Sequence, residues 1–165
     1  MSGRAFVFGD NIDTDVMAPG YLMKLPPEEL ASHCLSAIDP DFARTVQPGD
    51  FVVGGQSFGI GSSREQAAVS LKLLGVKAVI ARSFARIFWR NAINLGLVCI
   101  TLDEARHIAA DDRLSLDLQV GTLFNHTQDT RYSFAPLPGH LTGMIADGGL
   151  IPHLKKRLAA KGEHA

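Results

Sequence analysis

The stretch Gly55-Gln56-Ser57-Phe58-Gly59-Ile60-Gly61-Ser62-Ser63-Arg64-Glu65-Gln66 carries most of the chain's chemical capacity. Its glycines open backbone conformations that other residues resist. A helix predicted from Arg64 onward would aim its free N–H groups back into this loop, and such a helix end binds anions. Ser62 and Ser63 stand at its mouth, and Arg64 offers a planar fork that matches a carboxylate. This set suits recognition of an acid, and a serine among such donors could have its deprotonated oxygen stabilised. Three familiar motifs fail. Arg64 stands where a dinucleotide fingerprint needs its last glycine. No Gly-Lys-Ser/Thr closes a phosphate loop, and Gly61 to Glu65 does not read G-x-S-x-G. A plainer reading also fits: Ser62 caps the helix and Glu65, three residues on, completes a capping box.

The flanking sequence supplies the frame. Phe51-Val52-Val53 predicts a buried strand before the loop. After it, Ala67, Ala68, Leu71 and Leu74 recur at helical spacing, with Gly75 as the stop. Val76 to Ala81 reads as the next strand. Ser83 can cap a second helix whose apolar face is Phe84, Ile87, Phe88, Ala92 and Leu95, ended by Gly96 before a third strand, Leu97 to Leu102. Strand–helix–strand–helix–strand predicts parallel pairing with right-handed crossovers. Upstream, Ala5 to Phe8 predicts a strand, and the polar cluster Asp10 to Asp15 a turn-rich loop. Pro26-Pro27-Glu28-Glu29 opens a helix that runs to about Ala37, before Asp39-Pro40. Downstream, a short helix over 104–110 precedes strands at Leu114 to Leu118, Val120 to Phe124 and Arg131 to Phe134. Residues 140–160 read as helix interrupted by Gly148-Gly149. The expected fold is one α/β domain over 1–165 that mixes parallel and antiparallel strands.

The totals narrow the function. With 165 residues, 46% hydrophobic and 20% charged, the chain reads as one ordinary globular domain rather than a disordered segment. Its net charge of -1, from 16 basic and 17 acidic residues, lacks the cationic surplus that nucleic-acid binding uses. Lys155-Lys156-Arg157 reads as a solvated helix end. No apolar run reaches the length of a membrane span, and no charged head with an apolar core opens the chain, so a cytoplasmic protein is expected. Cys34 and Cys99 read as two buried thiols, since no CxxC pair exists. None of the six histidines has HxxH or HExxH spacing, so no metal ligand is expected from this chain. Trp89 reads as a core or interface residue.

Gly61-Ser62-Ser63-Arg64-Glu65-Gln66-Ala67-Ala68, followed by Ala81-Arg82-Ser83-Phe84-Ala85-Arg86-Ile87-Phe88 and Asn91, resembles the small-subunit (swivel) domain of the aconitase superfamily. Within it, the chain resembles the small subunits of 3-isopropylmalate dehydratase and homoaconitase. Gly9 to Asp15 with Gly20-Tyr21-Leu22 matches the opening motif and Gly148-Gly149-Leu150-Ile151 the closing one, so the resemblance spans nearly the whole chain. It implies a swivelling β/β/α domain and a separate large subunit that carries a 4Fe–4S cluster, with none bound here. The active site would lie between the two subunits and take a hydroxy-dicarboxylate. Ser62 would be the base and Ser63 and Arg64 would hold a substrate carboxylate; Asp13 and Thr14, with Asp15, would line the site, the alternative being that they only hydrogen-bond a turn together. Tyr21, Leu22, Met23 and Lys24 would form a specificity loop at the substrate's variable end, and Arg82 and Arg86 would give support. Ile60 and Gln66 stand where many members carry a small residue or cysteine and a histidine. The expected reaction interconverts 3-isopropylmalate and 2-isopropylmalate in leucine biosynthesis, with homoaconitate, citramalate or 2,3-dimethylmalate as alternative acids. From other classes, a stand-alone anion-binding module or a regulatory subunit would use the same helix end.

Overall fold

The computed structural model describes residues 2–162. Four parallel strands, β1 (Gly3–Val7), β2 (Phe51–Val53), β3 (Ala78–Ala81) and β4 (Val98–Thr101), form one half of a seven-stranded sheet. Three antiparallel strands, β5 (Arg113–Asp117), β6 (Thr122–Asn125) and β7 (Thr130–Ser133), complete it in the order β4-β3-β2-β1-β5-β6-β7. The seam is β1. Ala5, Phe6 and Val7 pair in parallel with Phe51, Val52 and Val53, whereas Gly3 and Arg4 pair antiparallel with Leu114 and Arg113. The helices are α1 (Thr14–Met17), α2 (Pro27–Ala31), α3 (Phe42–Thr45), α4 (Gln66–Leu73), α5 (Arg86–Asn94), α6 (Gly139–Ala146) and α7 (Leu150–Gly162). Short 3-10 turns lie at Gly20–Leu22 and Asp103–His107.

Side-chain alternation along the strands sorts the interior into two cores. Val52, Val79 and Cys99 join the helical side with Phe42, Ala67, Leu71 and Phe88. Phe51, Val53, Ala78, Ile80, Val98 and Ile100 join the other side with Leu114, Leu123 and Tyr132 of the antiparallel strands. The sheet therefore curls so that its antiparallel half covers its parallel half, giving the expected β/β/α layering. Strands β2 and β3 are buried on both faces, which is why they are uninterrupted apolar runs.

The β2–α4–β3–α5–β4 unit stands as the periodicity predicts, and α4 and α5 stop just before Gly75 and Gly96. Four local expectations shift. Helix α4 begins at Gln66, and its N-cap Glu65 makes no side-chain capping bond, so Ser62 and Glu65 do not form a capping box. Ser83 does not cap α5; the cap position is Ala85, and the Ser83 Oγ accepts from the Ser57 N–H at 2.7 Å. The helix opened by Pro27 ends at Ala31 and the chain continues in turns, with Leu35 at φ +59°. The helix expected over 104–110 is the 3-10 turn Asp103–His107. Within the polar cluster, Asp13 creates a helix no periodicity announced: its carboxylate accepts from the Val16 N–H at 2.9 Å and opens α1. Among the described residues, no helix is long and apolar enough to cross a membrane.

Candidate active site

Because β1, β2 and β3 run parallel, the loops after all three leave the sheet at one end, where α/β folds collect their functional groups. The loop after β2 is stitched to both neighbours. Toward β1, the Gln56 N–H donates to Asp10 Oδ1 (2.7 Å), Asn11 N–H to the Gln56 carbonyl (2.8 Å), Gly59 N–H to the Ile12 carbonyl (2.6 Å) and Thr14 N–H to the Ile60 carbonyl (2.8 Å). Toward β3, Phe58 N–H donates to the Ser83 carbonyl (3.0 Å) and Ala85 N–H to the Phe58 carbonyl (2.9 Å). The Phe58 ring anchors the loop from beneath: it is fully buried and meets Phe84 and Phe88 edge-on, with centroids 5.9 and 5.4 Å apart. Gly59 passes so close to Phe88 that an added Cβ would stand 2.2 Å from its Cγ. At Gly61, φ is +108°, a conformation that side-chain-bearing residues rarely adopt.

That stitching brings Ser62 to Thr14. The Thr14 hydroxyl, in a residue only 2% exposed, lies 3.2 Å from Ser62 Oγ and 3.2 Å from the Ser62 carbonyl oxygen. Ser62 and Ser63 are exposed. Among the described residues, the backbone N–H groups of Ser62, Ser63 and Arg64 donate to no protein group, leaving a run of donors able to receive an oxyanion. Arg64 turns away from α4. Its Nη1 donates to Asp15 Oδ1 (2.8 Å) and to the Ala18 carbonyl (3.2 Å). Asp15 Oδ1 also accepts from the Gly20 N–H at 2.8 Å. The Gly20 N–H and then the Arg64 guanidinium hold the Asp15 carboxyl below its ordinary range. On the far side, Asn91 of α5 donates from Nδ2 to the Ser63 carbonyl at 3.3 Å.

The expected site residues therefore divide. Ser62, Ser63 and Arg64 share one loop end. Asp13 is half-buried with its carboxylate committed to the α1 cap, and Thr14 is buried beneath Ser62. In the loop expected to set specificity, Tyr21 is 86% exposed and Lys24 is exposed, while Leu22 and Met23 are half-buried against the helical core. The Asp15–Gly20 bond ties this loop to Arg64 through one carboxylate oxygen. Residue spacing did not reveal that link or the Asn91 contact, although the Asp-Thr-Asp triplet and the matched asparagine were visible signals.

Arg82 pairs with Asp103 through Nε (3.1 Å) and Nη2 (3.0 Å), fastening the end of β3 to the 3-10 turn. That contact first, and then Arg106, lowers the Asp103 carboxyl. Arg86 is exposed, and Trp89 is half-buried against the helical core. Cys34 and Cys99 are buried free thiols whose ionisation burial pushes up. Among the described residues, no three His, Cys, Asp or Glu side chains gather as a metal site. These two thiols do not fit an iron–sulfur cluster, whose ligands are thiolates.

Residues 35–105 match the family model of the aconitase C-terminal domain. The 3-isopropylmalate dehydratase small subunit 1 of Archaeoglobus fulgidus is 48% identical over 93% of this chain and 96% of its own length. The chain belongs to the 3-isopropylmalate dehydratase small-subunit family. Another member, small subunit 1 from Thermotoga maritima, is 48% identical over 93% of this chain and 94% of its own. The methanogen homoaconitase small subunit of Methanothermobacter thermautotrophicus is also 48% identical, over 94% and 91%. The crystal structure of 3-isopropylmalate dehydratase from Methanocaldococcus jannaschii superposes with a TM-score of 0.93 at 42% identity, covering 99% of this chain and 98% of that one. The curled sheet with its helical layer is thus the small-subunit fold of an aconitase-type hydro-lyase.

Proposed function

We propose that this chain supplies half of a dehydratase active site: Ser62 is the base, and Ser63 and Arg64 clamp a substrate carboxylate. Dehydration removes a weakly acidic C–H beside that carboxylate while a hydroxyl leaves the neighbouring carbon. The large subunit's 4Fe–4S cluster, when bound, supplies a Lewis acid for the departing hydroxyl. In this chain, the exposed Ser62 oxygen takes the proton. Serine is a poor base in water, so the work falls to the loop: unclaimed N–H groups at Ser62, Ser63 and Arg64 favour a negative oxygen. Arg64 keeps Nη2 and Nε for the carboxylate while Asp15 and the Ala18 carbonyl hold Nη1. Asp13 shapes the site from behind by capping α1. The observation that carries this reading is that one loop presents an exposed serine, unclaimed amides and a pinned guanidinium together.

The substrate is 3-isopropylmalate, in exchange with 2-isopropylmalate. Leu22 and Met23 beside Tyr21 give the expected specificity loop an apolar surface for a branched alkyl end. A homoaconitate-type acid is the second reading; the homoaconitase relative and the exposed Lys24, suited to an extra carboxylate, favour it. A cytoplasmic complex with the large subunit goes with either. The test mixes this chain anaerobically with a cluster-loaded large subunit and follows the absorbance of the unsaturated acid across a substrate panel. Turnover should need both subunits and be fastest with 3-isopropylmalate. Comparable turnover by this chain alone would overturn the proposal.

A further inference from the structure

Thr14 Oγ1 has one hydrogen and two acceptors within reach, the carbonyl oxygen and the Oγ of the same residue, Ser62, each at 3.2 Å. Thr14 is 2% exposed, so water does not compete freely for that hydrogen. The fold fixes it there twice over. Its N–H is bonded to the Ile60 carbonyl at 2.8 Å, and it opens α1 directly after the Asp13 cap. Above it, Gly61 leaves room: a Cβ at that position would lie 3.0 Å from Thr14 Oγ1.

We infer that Thr14 is a positioning residue for the base, its single hydroxyl hydrogen moving from the Ser62 carbonyl to Ser62 Oγ when Ser62 loses its proton. The inference rests on Ser62 being the base. With Ser62 neutral, Ser62 donates to Thr14 Oγ1 and Thr14 donates to the Ser62 carbonyl; both hydrogens are used. When Ser62 releases its proton to solvent, its oxygen can only accept, and rotation about the Thr14 Cβ–Oγ1 bond delivers a donor to the new charge. The alkoxide then takes the proton from substrate carbon and returns to the neutral arrangement, with Thr14 keeping its own hydrogen throughout. A bond to a charged acceptor is stronger than one to a neutral carbonyl, so the threonine favours the reactive form. Thr14 thereby acts on the base and not on the substrate.

The charged groups around this turn are Asp13 and Asp15 on the α1 side and Arg64 and Glu65 following Ser62 in the chain. From α5 the contact is the uncharged Asn91. Thr14→Val removes the donor while keeping the branched shape and leaves all of these groups in place; Thr14→Ser keeps the donor. In the reconstituted two-subunit enzyme, Thr14→Val is expected to move the ascending limb of the kcat–pH profile about one unit alkaline and to lower kcat about tenfold at neutral pH, with KM little changed. Thr14→Ser should restore both. Thr14→Ala, measured alongside with complex assembly checked by size exclusion, keeps the test alive if the valine variant folds poorly. An unmoved limb in the donor-free variants, or an equal loss in Thr14→Ser, overturns the inference while leaving Ser62 as the base. Full turnover by Ser62→Ala in the same assay overturns the reading of Ser62, and this inference with it.

Discussion

Replacing Gly61 by alanine tests whether the loop end is held as described. At φ +108° a residue with a Cβ sits in a sparsely populated backbone region, which costs about 1–3 kcal/mol. In a chain of 165 residues each kcal/mol moves Tm by about 2–4 °C, so Tm should fall by about 2–12 °C. The new Cβ would also lie 3.0 Å from Thr14 Oγ1, forcing the hydroxyl to give by a few tenths of an ångström. Since a 1 Å misplacement costs about a hundredfold in rate, that displacement should lower turnover about fourfold in the assembled enzyme. Gly9→Ala is the control, because a Cβ there meets nothing within 4 Å, and it should leave Tm and turnover unchanged. Thermal melts of the isolated chain and kinetics of the reconstituted complex read the two effects separately. A Gly61→Ala chain with wild-type Tm and wild-type turnover would refute the link from backbone conformation to the Thr14–Ser62 contact.

Asp15→Asn should raise KM about twofold to fivefold with kcat nearly unchanged, because Arg64 and the Gly20 loop lose their shared charged acceptor; steady-state kinetics of the complex check it, and a loss confined to kcat would contradict it. Asp147, bonded first by His153 Nδ1 at 2.7 Å and then by Lys156 at 3.0 Å, has its carboxyl lowered from an ordinary 3.8. A carboxyl depressed in the folded state stabilises above its unfolded value and loses that contribution as pH falls through the folded one. Asp147→Asn should therefore melt below wild type at neutral pH and converge with it in strong acid. A gap of constant size across that range would show that the ion pairs to α7 are not its origin.

The centre of the fold was legible because its signals are local. Continuous apolar strands, helical spacing at Ala67, Ala68 and Leu71, and the stops at Gly75 and Gly96 each report on a few neighbouring residues. Sheet order was not legible, since nothing within Ala5 to Val7 announces that β1 pairs on one edge with β2 and on the other with β5. Period-two alternation at Leu114 to Leu118 predicted a strand without saying which core it would cover. The site shows the same division. Ser-x-x-Glu is a sound local signature for a capping box, yet the Ser62 hydroxyl is taken by Thr14, 48 positions away. Arg64 is likewise drawn from its helix by Asp15, 49 positions away. Long-range partners overrode the local pattern at both residues, and these are the residues given chemical roles.

Turnover of the reconstituted complex with Ser62→Ala, set against its substrate affinity, is the decisive measurement. Loss of the base should lower kcat by about a hundredfold to ten-thousandfold while Arg64 and Ser63 still hold the dicarboxylate at near wild-type affinity. An alanine variant that dehydrates 3-isopropylmalate at the wild-type rate would mean that the proton leaves for some other group, and that this loop only binds.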